Sequence, residues 1–220
     1  MSRKSLVVFG GWNGHTPRES GELVGAFLSR EGFDLRMSDT LDVYLDSSYM
    51  QSLSLIVPIW TMGQITTEQW QGLNQAVQSG VGLAGFHGGV IDSFRENTEY
   101  QWMTGGQYVD HPGGIIPAHD VHIIDRDHEI TRGIEDFTLV DTEQYYMHVD
   151  PANHVLCQSP VTGEHGNPNL YKAGTLMPYA WTKAWGEARV FVACWGHTYK
   201  DFDVPPAWQI VERGMLWASR

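Results

Sequence analysis

The first half of the chain alternates short, mostly apolar runs with segments of helical periodicity. Four of these runs predict strands, at residues 6–9, 33–37, 53–60 and 81–86, and the continuous apolar run at 6–9 predicts a strand covered on both faces. Residues 18–31 and 66–79 predict helices, the second because a Thr66-x-x-Gln69 capping box opens it. Pro58 predicts an end or a bend in the third strand. This alternation predicts an α/β fold with a doubly wound, mostly parallel sheet flanked by helices.

The second half has a different pattern, with short apolar segments joined by irregular links. Five segments predict extra strands, at residues 119–124, 143–149, 155–158, 177–182 and 189–195. Residues 208–217 predict a closing helix, and residues 153–174 are rich in Gly, Pro, Asn and His. Because no long linker divides the chain, we expect a single domain over residues 1–220, with these strands added to one edge of the sheet.

Composition limits the class of protein. The chain has 220 residues, of which 42% are hydrophobic and 18% charged, so a large core is expected. A formal net charge of −12 argues against nucleic acid or an anionic membrane as partner. The sequence has neither an apolar run long enough to cross a bilayer nor the apolar segment of a signal peptide, which predicts a cytoplasmic protein. Cys157 and Cys194 form neither a zinc signature nor a disulfide framework, and each is predicted to be a small core residue.

Histidine is the residue type that most suggests chemistry. The chain has ten His, and a Gly-flanked His follows three of the predicted strands, at His15, His87 and His197. Ligands of open α/β sheets bind at the carboxyl ends of the strands, so these imidazoles are expected to share a site. Histidine titrates near neutral pH and binds metals, which makes both acid–base and metal chemistry candidates.

The segment Gly85-x-His87-x-Gly89 has the form of a nucleophile elbow between a strand and a helix. Histidine occupies the place of the usual Ser or Cys, so the imidazole is a base, an acid or a metal ligand rather than an acyl-enzyme nucleophile. The structural alternative is an imidazole that only braces a turn.

Three other segments contain candidate residues, each with a structural alternative. His15 lies in a Gly-rich loop suited to an anion or a sugar hydroxyl, or is part of an ordinary flexible loop. His111 is restricted to an extended backbone by the proline that follows it, which suits a ligand or a plain turn. Along residues 143–149 the alternation places Glu143, Tyr145 and Met147 on one face, as in a site or an exposed edge strand.

Five other histidines are predicted to be surface or loop residues, namely His119, His122, His128, His154 and His165. His119 and His122 are three residues apart on a predicted strand, so they should face opposite sides and not share a ligand.

Taken together, these segments resemble the ThuA-like (trehalose-utilisation) family. The resemblance is carried by residues 85–89, 105–112, 128–134, 141–145 and 189–197. It implies a class I glutamine amidotransferase-like, flavodoxin-like fold without amidotransferase activity, because His87 stands at the cysteine position. It also implies a role in sugar catabolism beside dehydrogenases that make 3-keto derivatives of glucosides and disaccharides. Thr142 separates Asp141 from Glu143, which are adjacent in the family, and so leaves open which carboxylate faces the site.

The preferred hypothesis is an enzyme that acts on a 3-keto-sugar or glycoside by His- or metal-assisted acid–base chemistry. The expected catalytic residues are His87, Glu143 and His197, and the expected ligands of a divalent ion, zinc or similar, are His87, His111 and His197. The expected substrate-binding residues are Trp12, His15, Trp60, Gly88, Gly89, His111 and Tyr145. We expect a small sugar as partner, no nucleotide cofactor, no nucleic acid, no membrane, and a homo-oligomer.

Two other hypotheses remain open at this point. One is a non-catalytic sugar-binding or regulatory module on a degenerate amidotransferase fold, suggested by the missing elbow nucleophile. The other is an esterase-like hydrolase, which lacks a placed nucleophile.

Overall fold

A computed structural model describes residues 3–163 and 170–220 of the chain. The strands are β1 (Lys4–Gly11), β2 (Asp34–Ser38), β3 (Leu55–Thr61), β4 (Gly82–Phe86), β5 (Gly106–Asp110), β6 (Ile115–Ile123), β7 (Phe137–Glu143), β8 (Tyr146–Val149), β9 (His154–Pro160), β10 (Leu176–Trp185) and β11 (Ala188–Ala193). The α-helices are α1 (Pro17–Arg30), α2 (Ser47–Gln51), α3 (Thr67–Gln78), α4 (Gly88–Ile91), α5 (Thr98–Thr104) and α6 (Pro205–Ala218). Three short 3-10 helices lie at Asn13–His15, Leu41–Leu45 and Tyr199–Asp203.

Within the described residues, the main sheet has nine strands in the order β2-β1-β3-β4-β11-β10-β9-β6-β7. The first five strands of this order pair in parallel, and the remaining four are added through antiparallel pairs. Helix α1 packs on β1 and β2, and α6 packs on β4 and β11. A separate antiparallel pair joins β5 and β8. The predicted α/β fold, with a doubly wound parallel part and extra strands from the second half, is confirmed.

The elements of the first half are found where the sequence predicts them. Helix α3 begins with a complete capping box, in which the Gln69 amide donates to Thr66 Oγ1 and the Thr66 amide donates to Gln69 Oε1. Pro58 does not end β3, which continues to Thr61. Instead, the pairing of β3 with β4 stops at Ile56, while Pro58 stays opposite Val8 of β1. Pro58, which has no amide hydrogen to donate, therefore stands where β3 is paired on one side only.

The prediction of one continuous strand over residues 143–149 is wrong, because the chain passes from one sheet to another within this segment. Strand β7 ends at Glu143, and β8 begins at Tyr146 in the two-stranded sheet. Between them the buried side-chain amide of Gln144 donates to Ser159 Oγ and to the Pro160 carbonyl. Alternating polarity cannot show such a change of sheet, since both pieces keep one face inward.

His119 is not the surface or loop residue that the sequence suggests. It lies on β6, is 3% exposed, and its Nε2 is 3.0 Å from the hydroxyl of Tyr179. His122 faces the opposite side of β6 and is partly exposed, as the spacing predicts. His154 is exposed, and His165 lies outside the described residues.

The core lies between the helices and the central strands, where Leu6, Val7 and Val8 of β1 are fully buried. Cys157 and Cys194 are buried free thiols within it, which confirms the prediction that they are core residues. In the part of the chain that the structure describes, none of the helices has the length and apolarity needed to cross a membrane.

Candidate histidine–carboxylate site

The elbow between β4 and α4 raises His87 at the carboxyl edge of the sheet. Its backbone has φ 48° and ψ −149°, a sparsely populated conformation for a residue with a side chain. The His87 amide donates to the Ala193 carbonyl at 2.7 Å, which fixes the turn to β11. A Cβ at Gly89 would lie 2.9 Å from Ile59 Cα, so the glycine lets the turn pack on β3. The predicted elbow geometry is thus present.

His15 follows β1 and is anchored to the end of β3. Its Nδ1 lies 2.9 Å from Thr61 Oγ1, and both side chains are buried. Its other ring nitrogen, Nε2, lies 3.8 Å from Glu143 Oε2. Thr61 is a residue that sequence reasoning missed, because nothing in the pattern distinguishes it from any residue at a strand end.

Glu143 is the point at which the imidazoles meet. Its Oε2 lies 3.4 Å from His87 Nε2 and 3.3 Å from Nδ1 of His197, which follows β11. Thr142, immediately before it, turns its hydroxyl to Asp201, and Asp141 is exposed. Glu143 rather than Asp141 is therefore the carboxylate of the site.

Four potential ligand atoms, one each from His15, His87, Glu143 and His197, lie within 4.8 Å of one another. Three of these side chains are buried, and His197 is nearly so. Both ring nitrogens of His87, Oε2 of Glu143 and Nδ1 of His197 have no hydrogen-bond partner among the described residues. A buried polar atom without a partner costs about 1–3 kcal/mol, so this cluster is a candidate ligand site.

Burial sets the charges of the site. It lowers the pKa of His87 well below its ordinary value, helped by the neighbouring imidazoles, and lowers the pKa of His15 to about 4. For Glu143, burial acts to raise the pKa, but the nearby imidazoles, His197 first, outweigh it and lower the pKa overall. At neutral pH the site therefore holds neutral His15 and His87 beside an ionised carboxylate, which is the protonation state in which such groups bind a metal cation.

The four converging residues differ from the three predicted metal ligands. His87 and His197 belong to the cluster, but His15 and Glu143 complete it, whereas sequence reasoning gave them other roles. His111 lies at the rim, partly exposed, with Nε2 3.7 Å from the other carboxylate oxygen of Glu143. The spacing of residues along the chain cannot show which imidazoles from separate loops come together in one cluster.

Gly88 has a steric role in closing the cluster. A Cβ there would lie 2.6 Å from His15 Cε1 and 2.9 Å from the hydroxyl of Tyr145. The Tyr145 ring lies against that of His87, with centroids 3.8 Å apart. The glycine thus allows three side chains to converge where any other residue would separate them.

Aromatic rings flank the cluster. Tyr108 is next to both Tyr145 and His111, with centroid distances of 4.7 and 5.9 Å. Trp12 meets the His15 ring edge-on at 4.8 Å and is 47% exposed. Trp60, also predicted to bind substrate, is partly buried and lies against Gly10 and Gly63 at the end of β3.

A cavity of about 740 Å³ lies beside these aromatic rings. It is lined by residues 62–67, Trp70 and residues 94–99. Arg95 lines it, and its guanidinium lies 5.3 Å from the centre of the Tyr108 ring. The Arg95 side chain is held by two hydrogen bonds to the buried carboxylate of Asp92. The volume is within the range of about 300–1,000 Å³ that is common for small-molecule pockets.

The fold and the cluster define an α/β protein with a histidine–carboxylate centre at the carboxyl edge of its sheet. The chain matches the family model described as "ThuA: Trehalose utilisation" over residues 4–218, and it belongs to the ThuA family.

Solved structures agree with this assignment. A ThuA-like protein from Bacteroides uniformis ATCC 8492 has a TM-score of 0.77 and 16% identity, covering 98% of this chain and 91% of that chain. A ThuA-like protein from Parabacteroides merdae ATCC 43184 has a TM-score of 0.75 and 17% identity, covering 99% and 90%. A Salmonella typhimurium LT2 protein described as cytoplasmic has a TM-score of 0.68 and 11% identity, covering 99% and 100%. No curated protein matches the sequence. At these identities the similarity shows the fold.

Proposed function

We propose that this ThuA-family protein binds a divalent metal ion, zinc or a related ion, through His15, His87, Glu143 and His197. The observation that supports the proposal is the convergence of four potential ligand atoms. Those of His87, Glu143 and His197 lack a hydrogen-bond partner among the described residues, and the cluster is in the protonation state that a cation requires. Three imidazoles and one carboxylate suit zinc or a related transition ion. When bound, such an ion acts as a Lewis acid on a substrate oxygen.

The substrate that we propose is a 3-keto-sugar or 3-keto-glycoside from carbohydrate catabolism. The ketone at C3 makes the proton on C2 acidic. Removing that proton forms an enolate, whose electron pair then expels the C1 oxygen substituent as the ketone re-forms. The leaving oxygen takes up a proton, and water adds across the new C1–C2 double bond in the hydrolytic form of the reaction. This sequence needs a base beside C2 and positive charge near O3.

The residues divide these tasks by position. Polarisation of the ketone oxygen is assigned to His87, Glu143 and His197, through the ion that they would hold. His111, at the rim and outside the four-residue cluster, is the imidazole free to take the C2 proton. Trp12 provides an exposed ring face of the kind that packs on sugars. Tyr145, predicted from the sequence to bind substrate, is buried against His87 and supports that imidazole instead. The cavity beside Arg95 has room for the rest of a glycoside.

The proposal is tested by turnover of 3-keto-glucosides and 3-keto-trehalose, with and without added metal. We expect wild-type protein to release the C1 substituent, and His111→Gln and His87→Ala to lower kcat by about 100-fold or more. His111→Gln should keep its metal, whereas His87→Ala should lose it. Full turnover by correctly folded His87→Ala would overturn the mechanism.

The alternative of a non-catalytic sugar-binding module makes a different prediction. It requires sugar binding without turnover of any keto-glycoside and without a stoichiometric metal ion. A cytoplasmic location, like that ascribed to the Salmonella protein, belongs to the proposal. The expected homo-oligomer stays a prediction.

A further inference from the structure

Asp201 is a buried carboxylate beside the cluster that does not belong to it. Its Oδ2 accepts hydrogen bonds from the amides of Gly196 and His197, both at 3.0 Å, and from Thr142 Oγ1 at 2.8 Å. Thr142 immediately precedes Glu143 and is itself buried. One oxygen atom therefore joins the two segments that present Glu143 and His197.

This link connects strand ends that the backbone does not connect. Glu143 ends β7 at the edge of the sheet, while His197 follows β11, and β10, β9 and β6 lie between the two strands. The short helix Tyr199–Asp203, which carries Asp201, packs against β7. The contacts of Asp201 with Thr142 and His197 thus fix the distance between Glu143 and His197, which no β-ladder sets.

We propose that Asp201, acting through Thr142 and the His197 amide, is a positioning residue that holds Glu143 and His197 at the spacing a divalent ion needs. The proposal rests on the function proposed above. It also gives a role to Thr142, the residue that separates Asp141 from Glu143: its hydroxyl ties the carboxylate-bearing strand end to Asp201. Residues that orient metal ligands in this way typically change metal affinity by about 10–100-fold when removed.

The test is zinc affinity, measured by competition with a chromophoric chelator on the full chain made metal-free. Asp201→Ala should weaken zinc binding by about 10–100-fold. Asp201→Asn keeps an acceptor oxygen and should restore affinity to within a few-fold of wild type. Thr142→Val should weaken binding by a smaller factor, and Thr142→Ser should bind as wild type does. Thr142→Val should have no further effect in the Asp201→Ala background, because Thr142 acts through Asp201.

A matched control is available on the same strand. Thr138 of β7 donates to Asp120 at 2.7 Å, an exposed pair of the same kind at the opposite end of the strand from Glu143. Thr138→Val and Asp120→Ala should leave zinc affinity unchanged. Thermal unfolding of the metal-free proteins separates a loss of stability from a loss of affinity. If Asp201→Ala does not fold, Thr142→Val and Thr142→Ser decide the question.

Three results would contradict the account, two of them the role of Asp201 and one the proposed function. If wild type binds zinc and Asp201→Ala and Thr142→Val bind it within twofold of wild type, Asp201 is not a positioning residue. Failure of Asp201→Asn to restore affinity would also overturn the proposal. If wild type binds no divalent ion at all, it is the proposed function that fails.

Discussion

His15 and Thr61 are joined by a 2.9 Å contact between the imidazole Nδ1 and the threonine Oγ1, at the ends of two neighbouring parallel strands. When Nδ1 carries the proton, its N–H donates a hydrogen bond to Thr61 Oγ1. The lone pair of Nε2 then lies on the side of Glu143. The contact with the hydroxyl therefore holds the imidazole in the ring orientation in which His15 can be a ligand.

Thr61→Val tests this relationship. It keeps the shape of the side chain but removes the hydroxyl, so His15 loses its anchor. We expect metal affinity to fall by about tenfold or more, as measured by chelator competition. Thr61→Ser, which keeps the hydroxyl, is the control and should bind metal as wild type does. Equal affinity for all three proteins would mean that Thr61 does not orient His15.

Gly88→Ala tests the closeness of the cluster. The added methyl group would approach His15 Cε1 to 2.6 Å, too close for the present arrangement, so the imidazole or Tyr145 must shift. Shifts of about 1 Å in a catalytic site can lower rates by about 100-fold. We therefore expect loss of metal binding and of turnover. Gly114→Ala, at a site with open space around it, is a steric control measured in the same assays, although its positive φ adds local strain.

A third prediction concerns the pH dependence of stability. Burial lowers the pKa of His119 to about 4, against 6.5 for the free side chain. As the pH falls from 6.5 to 4, the unfolded chain binds a proton at this residue that the folded chain excludes, so the free energy of unfolding decreases. The shift corresponds to roughly 3 kcal/mol over this window.

His119→Phe removes this titration. Denaturant unfolding at several pH values between 4 and 7 should show a shallower loss of stability on acidification than in wild type. The comparison uses the slope rather than the absolute stability, because the variant also loses the hydrogen bond to Tyr179. Identical slopes for the two proteins would show that His119 takes up its proton over the same pH range in the folded and the unfolded chain.

The sequence predicts those features that depend on local pattern. Local sequence alone is enough to recognise the apolar runs of β1 and β4, the capping box of α3 and the Gly-flanked His87. The convergence of His15, His87 and His197 could also be predicted, since parallel strands place their carboxyl ends at one edge.

Features that depend on long-range contacts could not be predicted from the sequence. His119 reads as a surface residue because its burial comes from Tyr179, 60 residues further on. Choosing His15 and Glu143 over His111 as proposed ligands requires the positions of four separate loops. Asp201 carries no motif, and its position beside Thr142 and His197 is set by tertiary packing.

The central claim is that His15, His87, Glu143 and His197 form one metal site. The most direct test is the metal content of wild-type protein and of the four single alanine variants, measured by mass spectrometry after dialysis against zinc, manganese, cobalt or nickel. We predict one bound ion per wild-type chain and a large loss in each variant. A wild-type protein that retains none of these ions, or four variants that all retain a full equivalent, would contradict it.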